Sequence, residues 1–394
     1  MEQIGTRCLA ELEAASHNRS TKHSLRQGVY LAITLMSASM TSHAATWGRQ
    51  FAYVVQEDVE QAKDYIVRVN VATGVVERRF DLGSGLGGGR LQLRSAAAST
   101  ALQRMFFVDE WRARLISLDI HSGAVSQFSA DNVPTGVVVS PNGAYVYVAA
   151  SYDNTVLEFD ARNVTRGALR TIPVGNRPVG ISIRPDGAVV YTANALGNSV
   201  TAIDVSQNPP AIYSLSLVNE KHTNPRPLGI ALDATGTRAY VSLGGDNAYV
   251  IALDTSEKQP HFAADLSVPS SAMSLGDTKL GIATSPTSSL LYAIAPGKNQ
   301  LSYYDMGSDP PAQGPVSNTY PNSYPVGVSV DGTGNRVLVQ GDGTPAGDPN
   351  NGRLFVYEAT TGQQQWTLRL GKGRALVGNV VLEDDVLLRD GFEP

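Results

Sequence analysis

A short apolar segment that ends in an acidic or amide residue recurs seven times along the chain, and this repeat limits the possible folds. Two copies read TVLEFD, ending at Asp160, and SVTAID, ending at Asp204. The end residues are Asn70, Asp119, Asp160, Asp204, Asp254, Asp305 and Glu358. Consecutive end residues lie 41 to 53 positions apart. This period is typical of repeat proteins in which each unit is one small β-sheet.

A glycine followed by a short apolar run recurs in register with the first repeat. These anchor glycines are Gly136, Gly180, Gly229, Gly281 and Gly327. In the clearest copy, PVGISIRPDGAVVYTAN, a Pro-Asp-Gly turn separates two apolar strands. Each unit therefore contains four short strands, A to D, joined by tight turns. The nearly continuous apolar runs of strands A and B indicate burial on both faces.

Seven units of four strands predict a seven-bladed β-propeller that forms one all-β domain over residues 45–384. The first unit begins with FAYVV (51–55), which matches strand B, so this unit lacks its strand A. The strand A pattern reappears near the C-terminus in ALVGNVVLE (375–383). We therefore expect the C-terminal strand to pair into the N-terminal blade and close the ring, which removes a free sheet edge. Residues 385–394 form a C-terminal tail.

The N-terminal 44 residues have the order of a secretory signal. Lys22 and Arg26 precede an apolar run over residues 28–40, and Ser42-His43-Ala44 follows it. The run is too short to span a bilayer. The sequence therefore predicts export to the periplasm or the extracellular space, with cleavage after Ala44 and no transmembrane segment in the mature chain. A membrane anchor is the alternative interpretation.

Charge and cysteine content exclude several classes of function. The chain has a net charge of −5, and removal of residues 1–44, with four basic and three acidic residues, makes it −6. This balance argues against nucleic acid as the main partner. The only cysteine, Cys8, lies before the cleavage point, so the mature chain has no disulfide and no thiolate metal site. We expect a monomer without a cofactor.

Residues 174–205, VGNRPVGISIRPDGAVVYTANALGNSVTAIDV, resemble the YVTN-type repeat of the YncE-like seven-bladed propellers. The family's Pro-x-Gly-x-x-x-x-Pro-Asp-Gly strand pair, its Val-Tyr-x-x-Asn strand and its Asn-x-Val-x-x-Ile-Asp strand match this stretch. The matching residues are Pro178, Gly180, Pro185, Asp186, Gly187, Val190, Tyr191, Asn194, Asn198, Val200, Ile203 and Asp204. The similarity is sharp over about 90 residues and extends as architecture to the rest of the propeller. The wider group also contains seven-bladed lactonases.

We expect the functional residues to be those that do not belong to the repeated pattern. The D–A and B–C connections should share one face of the ring, and the position three residues before each anchor glycine should lie at the channel mouth on that face. A basic funnel is therefore predicted, with His222 from the loop 219–227. Its candidate ligand-binding residues are Arg177, Arg226, His222, Lys279, Tyr324 and Arg374. Arginine is suited to bidentate capture of carboxylate or phosphate. Alternatively, these side chains are solvated or pair with Glu57, Asp58 and Glu60.

Two further features are weaker candidates. Trp111, in DEWRAR (109–114), is expected on an exposed loop of the funnel face, where it could anchor a protein or a sugar or simply pack against the loop. Asp342 and Asp348, in GDGTPAGDPNNG (341–352), could supply oxygen ligands to calcium. This segment lacks EF-hand spacing, and a long B–C turn is the alternative.

These observations favour a non-enzymatic binding or scaffold protein that holds a protein, a glycan or a small anion at the funnel. The alternative, which the resemblance to lactonases implies, is a hydrolase in which Arg177 and Arg226 hold an acidic substrate and His222 is the general base. Nucleic-acid binding, reported for some YncE-like proteins, is disfavoured by the negative charge.

Overall fold

A computed structural model shows seven four-stranded antiparallel sheets. It describes residues 49–58, 63–82, 93–130, 133–245, 250–266, 281–295, 300–308, 311–314, 325–341, 352–369 and 380–384. One compact unit, Gln50–Pro394, contains the blades. The prediction of a seven-bladed β-propeller is confirmed. No helix in these described ranges is long and apolar enough to cross a membrane.

The strands follow the chain blade by blade. Blade one contains β1 (Arg49–Asp58), β2 (Lys63–Asn70) and β3 (Val76–Asp81). Blade two contains β4 (Leu93–Ser99), β5 (Arg104–Asp109), β6 (Arg114–Asp119) and β7 (Val125–Ser129). Blade three contains β8 (Pro134–Val139), β9 (Tyr145–Ala150), β10 (Thr155–Asp160) and β11 (Ala168–Pro173), with a 3-10 helix at Val164–Arg166. Blade four contains β12 (Pro178–Ile183), β13 (Val189–Asn194), β14 (Ser199–Asp204) and β15 (Ala211–Ser216).

The remaining blades repeat this order. Blade five contains β16 (Pro227–Leu232), β17 (Arg238–Leu243), β18 (Val250–Asp254) and β19 (His261–Asp265). Blade six contains β20 (Ile282–Thr284), β21 (Leu290–Ala295), β22 (Gln300–Asp305) and β23 (Ala312–Gln313). Blade seven contains β24 (Pro325–Val330), β25 (Arg336–Gly341), β26 (Arg353–Glu358) and β27 (Gln364–Arg369). The last strand, β28 (Val380–Asp384), pairs with β1 and completes blade one, as the sequence predicted.

Apolar side chains fill the space between every pair of neighbouring blades. Seven buried clusters lie at the seven blade–blade contacts of the ring. At the closing contact, Val54 and Val67 of blade one pack with Leu338 and Val356 of blade seven. Because each blade buries both faces against its neighbours, the alternating pattern of a half-exposed sheet is absent from strands such as β13 and β14, which are buried throughout.

The Pro-x-Gly motif marks an irregular start of strand A. Strand β12 begins at Pro178, two residues before the anchor glycine, and its register with β13 shifts between Pro178 and Gly180. A Cβ atom on Gly180 would lie 2.5 Å from the carbonyl oxygen of Leu228 and 3.1 Å from Cα of Gly229. Only glycine allows the A strands of blades four and five to approach this closely around the channel.

The recurring residue at the end of strand C serves the scaffold. In six of the seven blades its side-chain oxygen accepts a hydrogen bond from the backbone amide two residues later, at 2.9 to 3.2 Å. The six residues are Asn70, Asp119, Asp160, Asp204, Asp254 and Asp305. This interaction holds the C–D turn in place. Glu358, in the seventh blade, instead accepts a hydrogen bond from the hydroxyl of Thr361 at 2.6 Å.

Candidate functional site

A cavity of about 460 Å³ opens at one mouth of the central channel. Its walls come mainly from strand A of blades two to seven, and they combine glycine and apolar residues with polar side chains. The side chains at the mouth are Arg94, Glu110, Val133, Arg177 and Arg226. Pockets of this size commonly hold a small molecule, with a few polar groups that fix its orientation. Of the predicted positions three residues before the anchor glycines, Val133, Arg177 and Arg226 lie at this mouth, and positions 278 and 324 lie outside the described residues.

Arg177 and Arg226 are held at the mouth by an unusual backbone conformation. Their φ angles are +58° and +43°, in a region that non-glycine residues rarely adopt. The side-chain oxygen of Asn154 accepts a hydrogen bond from the Arg177 amide at 2.7 Å, and that of Asn198 accepts one from the Arg226 amide at 2.9 Å. Each asparagine lies in the B–C turn of the preceding blade. The two arginines are therefore positioned by contacts between blades.

Val133 occupies the same position in blade three, with a φ of +55°. This conformation is particularly unfavourable for a β-branched residue. The B–C turn of blade two has Ala113 where the next two blades have Asn154 and Asn198, and Ala113 also has a positive φ, +48°. An alanine has no side-chain oxygen to offer the Val133 amide. The geometry of the mouth is thus repeated in three blades, with its asparagine support present in two.

The two guanidinium groups lie in different surroundings. The guanidinium of Arg177 lies over the ring of Tyr152, 5.0 Å from its centroid, in a cation–π contact. Nε of Arg226 is buried and has no hydrogen-bond partner in the part of the chain that the structure describes. Within the same described ranges, neither guanidinium forms an ion pair with a carboxylate. By contrast, Arg94 at the same mouth pairs with Glu110.

His222 does not reach this cavity. Its side chain is only 2% exposed, with Nε2 3.5 Å from a carboxylate oxygen of Asp265, at the end of β19. Nζ of Lys221 lies 3.6 Å from the same oxygen. The side chain of Asn219 accepts hydrogen bonds from the amides of Lys221 and His222, and this folds the loop back upon itself. The structure therefore places His222 inside its own loop, apart from the residues that line the cavity.

Trp111 lies at the tip of the β5–β6 turn and is 80% exposed. The ends of its motif, DEWRAR, pair across the two strands: Nε of Arg114 lies 3.0 Å from a carboxylate oxygen of the buried Asp109. Burial lowers the pKa of Arg114, although the neighbouring Asp109 opposes this effect. The turn therefore has a fixed base, from which Glu110 faces the cavity and Trp111 faces solvent.

Several predicted site residues lie outside the described residues. These are Lys279, Tyr324 and Arg374 of the funnel, together with Asp342 and Asp348 of the possible calcium loop. The side chains of the proposed acidic partners Glu57, Asp58 and Glu60 are also outside. Within the described ranges, no group of three or more His, Cys, Asp or Glu side chains is arranged to hold a metal ion.

Sequence reasoning missed the Arg94–Glu110 pair and the contact of Arg177 with Tyr152. Tyr152 follows the β9 strand just as Trp111 and Leu196 follow β5 and β13, each at the second position of its B–C turn. Alignment of the turns between repeats would have revealed this shared position. The pairing of Arg94 with Glu110 joins the start of strand A to the B–C turn of the same blade, and no spacing in the sequence indicates it.

The fold resembles many solved structures, while no protein-family model and no curated protein matches the sequence. A protein from Lactobacillus plantarum superposes with a TM-score of 0.64 at 14% identity, over 85% of this chain and 100% of the other. A candidate 6-phosphogluconolactonase from Bacteroides uniformis gives 0.62 at 14% identity, over 85% and 99%. Hydrazine synthase of Kuenenia stuttgartiensis gives 0.57 at 14% identity, over 75% and 96%. At this identity the likeness concerns the fold alone.

Proposed function

We propose that this propeller is a binding protein that holds a small carboxylate- or phosphate-bearing ligand at the channel mouth. The observation that carries the proposal is the pair Arg177 and Arg226, which line the cavity from strained backbone positions without a carboxylate partner in the described ranges. Strained residues concentrate at functional sites, where the surrounding structure maintains them. Two guanidinium groups without carboxylate partners are suited to an anion.

The lining of the cavity beneath the arginines indicates what the part of the ligand beyond its anionic group should be like. Its walls include Val179, Ile181, Leu228 and Ile230, and the anchor glycines expose backbone between them. An anionic group at the mouth would therefore be joined to a compact, partly apolar body that enters the channel. Burial of that body would add hydrophobic free energy to the charge–charge attraction.

The lining favours binding over catalysis. A hydrolase needs a nucleophile or general base together with a group that orients it. Among the described residues at the mouth, the single carboxylate is Glu110, and it is engaged by Arg94. The arrangement offers charge and shape for recognition.

Melting-temperature shifts of residues 45–394 test this proposal against sugar phosphates, dicarboxylates, lactones, glycans and calcium. A ligand at 100 times its Kd stabilises the native state by roughly 2.7 kcal/mol. In a domain of this size that corresponds to a shift of about three to four degrees. We expect a shift with an anion that disappears in Arg177→Ala/Arg226→Ala.

The matched control is Arg162→Ala/Arg166→Ala. Both of these arginines are exposed in the β10–β11 connection, on the opposite face of the ring, so the variant removes the same charge from another place. The control should retain the shift. A shift that persists in Arg177→Ala/Arg226→Ala, or that is lost equally in both double variants, would contradict the site.

A lactonase-type hydrolase is the second candidate function. It is supported by the fold shared with candidate 6-phosphogluconolactonases from Bacteroides uniformis and Bacteroides fragilis. The measurement is turnover of 6-phosphogluconolactone above its spontaneous hydrolysis, in the wild type, His222→Ala and Glu110→Gln. An unchanged rate in His222→Ala would exclude this histidine as the base, in line with its absence from the residues that line the cavity. Turnover that is lost in Glu110→Gln would replace the binding proposal with an enzyme.

We further propose that the chain is a YncE-like propeller exported by residues 1–44. The support is the YVTN-type stretch at 174–205 and the charged, apolar and small-residue order before Ala44. The mass of the protein recovered from the periplasm or medium of cells that express its gene tests export. A chain that begins at Ala45 is expected. A chain that retains residues 28–40 would contradict cleavage.

A further inference from the structure

Three consecutive blades present a large exposed side chain at the same place in the repeat. Trp111, Tyr152 and Leu196 each occupy the second position of a B–C turn, in blades two, three and four. They are 80%, 60% and 51% exposed. We call these three side chains the turn arc. Single exposed apolar residues are ordinary on a protein surface. Equivalent ones on three neighbouring blades repeat along one face of the ring, an arrangement suited to a partner that spans several blades.

The turn arc is continuous with the channel mouth. Leu196 itself lines the cavity, and Glu110, which precedes Trp111, lines it as well. The guanidinium of Arg177 covers the ring of Tyr152 at 5.0 Å. The arc therefore borders the cavity on the side where Arg177 lies.

Polar side chains of these turns are already used within the protein. Asn154 and Asn198 accept the amide hydrogen bonds of Arg177 and Arg226, and Glu110 pairs with Arg94. What the turns present to a partner is apolar and aromatic surface beside guanidinium charge, together with the exposed Arg112 and Asp153. A glycan site would instead need free hydrogen-bonding groups beside its aromatic residues.

We propose that the turn arc docks an extended acidic peptide segment of a partner protein, with aromatic or leucine side chains on the arc and an Asp or Glu at Arg177 and Arg226. Tryptophan, tyrosine and arginine are the residues most enriched where protein partners bind tightly. Charge complementarity selects the acidic partner, because neither arginine has a carboxylate partner among the described residues. This inference goes beyond the small-ligand site, with which it shares the two arginines and Leu196.

Selection from a display library of random peptides tests the proposal with residues 45–394 as bait. Peptides of about eight residues span up to roughly 27 Å when extended, enough to reach more than one turn. We expect enriched sequences that combine Asp or Glu with Trp, Phe, Tyr or Leu. Their affinity should fall as salt concentration rises, because the charges at the arc are exposed to solvent.

The decisive variant is Trp111→Ser/Tyr152→Ser/Leu196→Ser. Its matched control is Val75→Ser/Leu169→Ser/Phe262→Ser, which removes three similarly exposed apolar side chains from other surfaces of blades one, three and five. An enriched peptide should bind the arc variant roughly tenfold more weakly or worse, and the control like the wild type. Both variants should melt within a degree or two of the wild type, because exposed side chains contribute little to stability.

Three results would overturn the proposal. The first is the absence of any enriched peptide, the second is enrichment of basic or purely apolar sequences, and the third is equal affinity for the arc variant and the wild type. A glycan array that shows arc-dependent binding in place of peptides would also overturn it. The small-ligand site is judged separately: Arg177→Ala/Arg226→Ala should abolish the shifts caused by small anions, whereas Trp111→Ser, at the one arc residue that neither lines the cavity nor contacts Arg177, should leave them unchanged.

Discussion

The two faces of the ring are built from the same repeat, but they differ in which residues have positive φ angles and in how their charged side chains are paired. On the face formed by the A–B and C–D turns, the positive φ angles fall almost entirely on glycines, such as Gly143, Gly187 and Gly236, with Gln103 as an exception. On the face formed by the B–C turns and D–A loops, they fall on Ala, Asn, Val and Arg. Glycine adopts this conformation at little cost, and the other residues do not.

The charged groups follow the same division. On the first face, the acids that end strand C accept amide hydrogen bonds, and Asp204 also pairs with Lys258 at 2.6 Å. On the second face, Arg177 and Arg226 line a cavity without a carboxylate partner among the described residues. Charged side chains that recur in most blades and have hydrogen-bond partners belong to the scaffold. Residues in strained backbone conformations whose charges have no carboxylate partner among the described residues mark the surface proposed for binding.

The largest effect on stability is expected from a substitution in strand A, next to the channel. In Gly180→Ala, the new Cβ would lie 2.5 Å from a backbone oxygen of the neighbouring A strand, and backbone cannot move aside easily. We expect a loss of about 2–3 kcal/mol in the free energy of unfolding, measured in urea. In the control Gly281→Ala, the nearest atom is the end of the Ile294 side chain at 3.0 Å, so a loss below about 1 kcal/mol is expected. Equal losses would contradict a close backbone approach.

The second prediction concerns Asp204, on the face formed by the A–B and C–D turns. Burial of Asp204 opposes its ionisation, but hydrogen bonds from Lys258, Ser206 and Gln207 outweigh burial and hold its pKa at about 2. An unfolded aspartate has a pKa of about 3.9, so the ionised form stabilises the native state above about pH 4, and this contribution is lost as the pH falls towards 2. Asp204→Asn should cost about 1–2 kcal/mol at pH 7, because the half-exposed Lys258 limits the pair. The difference from the wild type should shrink between pH 4 and 2.

The matched control for this prediction is Asp160→Asn. Asp160 ends strand C in blade three and accepts the same amide hydrogen bond, at 2.9 Å, without an ion pair to a basic side chain in the described ranges. Its substitution should cost less than that of Asp204. A wild-type advantage over Asp204→Asn that stays constant from pH 7 to 2 would refute the role given to its ionisation.

The smallest effect on stability is expected from a substitution that gives the B–C turn of blade two the asparagine found in blades three and four. Ala113→Asn places an asparagine at a φ of +48°, which this residue tolerates better than alanine, and offers the Val133 amide a side-chain oxygen. We expect a gain of about 0.5–1 kcal/mol, measured by urea unfolding. The reverse change, Asn198→Ala, should cost about 1–2 kcal/mol, since it removes the acceptor for the Arg226 amide. Destabilisation by Ala113→Asn would show that the asparagine is not what supports the mouth.

The sequence predicts the fold far better than the site, and the reason is physical. Each blade must bury both faces, so all seven repeats carry similar apolar strands, and most also carry a turn glycine and an acid at the end of strand C. The closing pairing of β28 with β1 follows from the missing strand A in the first unit. These patterns lie within short stretches of the chain, so they can be recognised from the sequence alone.

The site depends on contacts within and between blades that sequence spacing does not encode. The position of Arg177 and Arg226 follows from the repeat, and they do lie at the mouth. The burial of His222 against Asp265 does not follow, because the partner comes from a strand about 40 residues later. Nor does the ion pair that engages Glu110. The turn arc could have been found by aligning Trp111, Tyr152 and Leu196 between repeats.

Titration calorimetry with 6-phosphogluconate and citrate tests most directly whether the channel mouth is an anion site. The proteins are the wild type, Arg177→Ala, Arg226→Ala, the double variant and the control Arg162→Ala/Arg166→Ala. We expect the wild type and the control to bind at least one of the two anions with equal affinity. Each single variant should bind it roughly tenfold more weakly, with non-additive losses in the double variant because both arginines contact one ligand. Binding that is unchanged in the double variant, or no binding of either anion to the wild type, would contradict the proposed site.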